Sequence, residues 1–95
     1  MKERLPVART MAERRERVYR LVGGCCTYCG RALHLHEAHL DHELGTHAVE
    51  QAPDDELKCV CADCRTDKGE RTGAEYRQLR RYRQAQQMLA TLAAR

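Results

Sequence analysis

Two cysteine pairs of identical spacing, Cys26-x-x-Cys29 and Cys61-x-x-Cys64, carry the most legible chemistry in this chain. Thiolates are ligands that a tetrahedral zinc ion takes at about 2.3 Å, and a two-residue spacer lets one tight turn offer two of them. Thirty-one residues separate the pairs, so one ion would tie two distant segments together and enclose everything between them. The enclosed stretch contains an Asp41-His42 dipeptide, with His39 two residues before it. A histidine that titrates near neutrality can take a proton from water, and an adjacent carboxylate can hold a hard divalent cation. Together they suit hydrolysis of a phosphodiester, where a cation must stabilise charge on the leaving oxygen. Taken alone, the same dipeptide also suits the surface of an edge strand.

The elements that must position these groups follow from periodicity and punctuation. Residues 7–22 read as a helix: Ala8, Met11, Val18 and Val22, with Leu21 beside them, keep helical spacing between Pro6 and Gly23-Gly24. Cys25 to Gly30 makes the first knuckle. From Ala32 to Leu44 apolar and polar residues nearly alternate, which predicts a short hairpin turning near His36-Glu37. Gly45 to Asp55, with Pro53, reads as loop, and Leu57 to Val60 as a brief strand leading into the second knuckle. Cys61 to Lys68 predicts a short helix stopped by Gly69. Thr72-Gly73-Ala74-Glu75 matches a capping box, and Tyr76, Leu79, Tyr82, Ala85, Leu89 and Leu92 give the final helix its apolar stripe. His39 and Asp41, two apart on a strand, share a face, so His39 is a candidate to complete a divalent-ion site.

Composition narrows the class. Ninety-five residues with no Phe or Trp and only 4 % aromatics make a single small domain that needs a staple. Six cysteines admit disulfides, but residues 1–22 are charged throughout and contain no apolar leader. Paired C-x-x-C spacing in such a chain favours metal and a cytoplasmic address. No stretch reaches the length of a membrane span. Cys25 can exchange with its neighbour Cys26 as ligand, and Cys59 beside Val60 reads as a small buried residue. Net charge is +3, with arginines gathered at both ends and acids in the middle. Such arginine-rich helices suit a phosphate backbone, or form solvated faces.

In order along the chain, Cys26-Thr27-Tyr28-Cys29-Gly30, His39-Leu40-Asp41-His42, Leu57, Cys61-x-x-Cys64 and Lys68-Gly69 resemble the zinc-stapled branch of the HNH endonuclease family. The match runs over about residues 17–75. The resemblance implies an α+β fold, a small zinc-stabilised ββα-metal domain with flanking N- and C-terminal helices. The layout becomes a basic N-terminal helix (1–24), a core (25–71) and a C-terminal helix (72–95) within a single domain. It also implies hydrolysis of DNA phosphodiester bonds with Mg²⁺ or Mn²⁺, His42 as general base and Asp41 as metal ligand. Cys26, Cys29, Cys61 and Cys64 would hold the structural Zn²⁺.

Two positions depart from the family pattern. Glu56 stands before Leu57 where the family usually has asparagine, and Arg65 follows the last cysteine where it has the second metal ligand, Asn or His. A guanidinium stays protonated and cannot coordinate a cation. Arg65 and Lys68, with Arg14 and Arg17 of the first helix, are then candidate contacts to double-stranded DNA. The alternative to cleavage is a degenerate zinc module that binds DNA or a protein. The final helix offers a surface for a protein partner or a second copy.

Overall fold

The computed structural model describes residues 10–94, so the expectations on Pro6 and Ala8 lie outside the described residues. Helix α1 spans Met11–Leu21 and begins where Thr10 accepts a hydrogen bond from the Glu13 N–H, satisfying a free donor of the first turn. Val18 is its fully buried residue, and the Tyr19 hydroxyl donates to the Leu33 carbonyl at 2.6 Å. Met11 and Leu21, expected on the inner stripe, are exposed. The domain is too small to cover the whole helix, and Arg14 does the packing at the N-terminal end. Its guanidinium donates to Asp54 at 2.8 Å and to the carbonyls of Val49, Glu50 and Ala52.

The sheet has two strands, β1 (His39–His42) and β2 (Leu57–Val60), paired antiparallel with His39 opposite Val60 and His42 opposite Leu57. This corrects the expected hairpin within residues 32–44. Cys25 and Ala32 form a single bridge around the first knuckle, and Leu35–Glu37 is a 3₁₀ turn in which Glu37 accepts from the His34 N–H. Alternation identifies a half-buried strand but not its partner. Leu57 and Cys59 on one face of β2, and Val60 on the other, are almost wholly buried, and β2 is the partner that β1 needs. The connection from 43 to 56 carries two further 3₁₀ turns, Thr46–Ala48 and Asp54–Glu56, and is pinned by Arg14.

Helix α2 (Ala62–Lys68) starts at Cys61, whose sulfur accepts from the Cys64 N–H, and stops at Gly69 with φ 56°. Helix α3 (Gly73–Ala93) opens with the reciprocal bonds of Thr72 and Glu75. Its first turn is clamped: the Gly73 N–H donates to the Glu43 carbonyl at 2.7 Å, and a side chain at 73 would collide with the Glu43 carboxylate. Tyr76 is buried and Leu79 half-buried, but from residue 81 onward α3 is exposed. The stripe of Tyr82, Leu89 and Leu92 therefore does not pack on its own domain. A radius of gyration of 15.9 Å records that overhang; a chain of this length folded into a ball would give about 12 Å.

Candidate functional site

The sulfurs of Cys26, Cys29, Cys61 and Cys64 lie within 4.8 Å of one another. Cys29 and Cys61 are 3.9 Å apart, nearly twice the ~2.05 Å of a disulfide bond and close to the ~3.8 Å edge of a tetrahedron with 2.3 Å arms. All six cysteines are free thiols. Cys25 points its sulfur at the Gly23 carbonyl, and Cys59 lies in the core, so neither belongs to the group.

Local backbone presents the sulfurs. Gly30, at φ 77°, closes the first knuckle by donating to the Cys26 carbonyl, and the Thr27 N–H donates to the Cys59 carbonyl, locking that knuckle onto β2. Burial opposes charge on Cys26, but N–H groups of Cys29, Cys61 and Tyr28 outweigh it and bring its thiol down to about 7. Cys64 goes the other way, pushed to about 12 by burial and the neighbouring Cys61 thiol. Repulsion among four sulfurs this close opposes charging them together. A thiophilic divalent ion such as zinc removes that conflict and fits this donor set. Arg80 of α3 adds an N–H toward the Cys64 sulfur at 3.9 Å, supporting the cluster from outside.

Beside the cluster, α2 lies against β1. Asp41 is 1 % exposed, and its carboxylate meets the Lys68 ammonium at 3.1 Å, itself 1 % exposed. The Tyr28 hydroxyl donates to the same carboxylate at 3.3 Å. Burial, then the negative charges of Asp41 and Glu43, hold the Tyr28 phenol protonated well above its ordinary range, so it remains a donor. Tyr28 packs edge-on against Tyr76, with ring centroids 4.9 Å apart. The other face of β1 carries His42, 7 % exposed. The Leu44 N–H donates to its Nδ1 at 3.0 Å, which places the proton of the neutral ring on Nε2, 3.3 Å from the Glu56 carboxylate.

A catalytic Mg²⁺ or Mn²⁺ does not fit these residues. Asp41, the expected ligand, already has a buried cation, and displacing Lys68 would strand an ammonium without a counter-ion. Arg65, where the resemblance would place a second ligand, sets its guanidinium 3.3 Å from His39 Nδ1. Desolvation, followed by the charges of Arg65 and Arg15, lowers the pKa of His39. His39 therefore faces guanidinium groups rather than completing a carboxylate site. Among the described residues, the four cysteines are the group of three or more such side chains close enough to share an ion.

The remaining expected contacts divide. Lys68 is enclosed rather than offered to a phosphate, Arg14 is spent on the 49–54 connection, and Arg17 lies 3.4 Å from Asp54. Arg65 is exposed and is ion-paired to no described carboxylate. His34 and His36 stack on each other at the surface, 5.6 Å between centroids. Two residues that sequence reasoning gave no part in this site have one: Tyr28 on Asp41 and Arg15 beside His39. Glu56, noted only as a departure from the family pattern, contacts His42, and the register of β1 on β2 puts residue 56 next to the partner of His42.

No family model, curated protein or solved structure matches this chain.

Proposed function

We propose that this is a zinc-stapled, HNH-like module that binds the phosphate backbone of nucleic acid, duplex DNA first of all, without cleaving it. The observation that carries the reading is the buried Asp41–Lys68 pair: the carboxylate a catalytic cation needs is neutralised by the protein's own ammonium. Binding is supported by basic side chains that no described carboxylate neutralises, Arg15 and Arg65 beside β1 and Arg81 on α3. A zinc ion in the four-cysteine cluster holds the knuckles, and thiols kept reduced to ligate it suit the cytoplasm. Among the described residues no helix is long and apolar enough to cross a membrane. The exposed outer half of α3 is where a protein partner or a second copy would meet the domain.

One observation favours the second reading, a metal-dependent DNA endonuclease. The Glu56 carboxylate orients His42 through Nε2, which makes Nδ1 the basic nitrogen, as a general base requires. In this arrangement the Leu44 N–H occupies that nitrogen. Incubation of the zinc-loaded protein with supercoiled plasmid separates the two. Retarded, intact plasmid in Mg²⁺ or Mn²⁺ supports the binding module. Metal-dependent nicking that His42→Ala abolishes establishes the nuclease. Plasmid neither retarded nor nicked at low salt refutes both.

A further inference from the structure

A half-open cleft of about 330 Å³ lies between α1 and β1, and its polar lining includes Arg15, His39, Arg65 and Glu50. Guanidinium groups from two helices line this cleft with His39, that of Arg65 3.3 Å from its Nδ1, and neither guanidinium is ion-paired to Glu50 or to any other described carboxylate. The Nε of Arg15 is buried and has no hydrogen-bond partner among the described residues. A buried N–H without a partner thus faces a cleft that a second guanidinium also lines, and an anion there would satisfy the one and neutralise both.

We infer that this cleft is a subsite for one phosphate group, gripped between Arg15 and Arg65 with His39 as a further hydrogen-bonding group. Two planar forks match the several acceptor oxygens and the charge of a phosphate, which a single carboxylate would satisfy only in part. Met11, Leu40 and Val49 supply an apolar wall for the sugar attached to it. The same grip serves a backbone diester and a terminal monoester. The assignment deepens the nucleic-acid reading above, on which the identity of the phosphate's carrier rests.

The test uses the zinc-loaded full chain. Inorganic phosphate and a nucleoside 5′-monophosphate are titrated while the ring signals of His39 are followed by NMR, and a short DNA duplex is titrated by fluorescence anisotropy. The expected result is a saturable shift of His39 with phosphate that Arg15→Gln and Arg65→Gln each abolish. Each variant should also weaken duplex binding about tenfold and reduce the slope of log K against log salt by about 1. Arg65 is exposed, so Arg65→Gln keeps the test decisive if Arg15→Gln fails to fold. Phosphate or monophosphate binding without duplex binding sustains the subsite with a terminal monoester as its ligand, while the backbone-binding function falls. Duplex binding that is unchanged in both variants overturns the subsite and leaves that function standing. An unmoved His39 in saturating phosphate also overturns it.

Discussion

Replacing Lys68 by methionine isolates the pair on which the functional reading turns. Methionine keeps most of the length and the apolar stem of lysine, so the change removes an ammonium more than it removes packing. The Asp41 carboxylate would keep only the Tyr28 hydroxyl at 3.3 Å, at a position 1 % exposed to solvent. Breaking a buried pair from one side costs about 3–5 kcal/mol, because the other charge stays buried and unpaired. A domain of this size has on the order of 5–14 kcal/mol in total, so the variant should unfold about 12 °C or more below the parent. Urea unfolding with saturating zinc at neutral pH, followed by far-UV circular dichroism, measures the loss. Adding Asp41→Asn removes the stranded charge, and the double variant should recover most of the stability, with a coupling energy of about 2 kcal/mol or more. A loss below about 1 kcal/mol in Lys68→Met would refute the reasoning. Lys68 would then be a solvated side chain, and Asp41 would be open to a divalent ion after all.

Stripping zinc with a chelator, or substituting Cys61→Ser, should abolish cooperative unfolding and near-native circular dichroism. One tightly held zinc per chain in native mass spectrometry, lost in the variant, is the matching readout. Acid should destabilise the protein through carboxyl groups held below their ordinary range, Asp67 and Glu43 among them. Asp67 is held below its ordinary range by the Tyr76 hydroxyl and Arg83, and at Glu43 the cations Arg77 and Lys58 outweigh desolvation. Lowered folded-state values mean stability present above the unfolded carboxylate range and lost as pH falls below about 4. Thermal midpoints against pH should therefore fall on the acid side, less steeply in Tyr76→Phe, which removes the largest influence on Asp67.

Cysteine spacing made the cluster legible because a knuckle is a local structure, complete within four or five residues. The caps of α2 and α3 were legible for the same reason, Gly69 and the Thr72/Glu75 box acting within one turn. The pairing of β1 with β2 was not, because register is a property of two segments and their burial. The surroundings of Asp41 lay between these extremes. Lys68 follows Cys64 by four residues, so it shares the buried face of α2, and its enclosure was readable in principle. Tyr28 reaches Asp41 only because the first knuckle is locked onto β2, which no short-range pattern discloses. Arg14 misled for a different reason: a guanidinium that satisfies loop carbonyls looks, in sequence, the same as one that faces a phosphate.

The overhang of α3 sets how the molecule moves in water. Its longest dimension, 62 Å, is about two and a half times the other two, 25 and 24 Å. Rotation about the long axis is then much faster than end-over-end tumbling. Amide vectors that lie nearly parallel to that axis reorient more slowly, and lose transverse magnetisation faster, than vectors across it in the cysteine-cluster end. Spin relaxation that ignored this anisotropy would mistake an orientation effect for a difference in rigidity between the two ends.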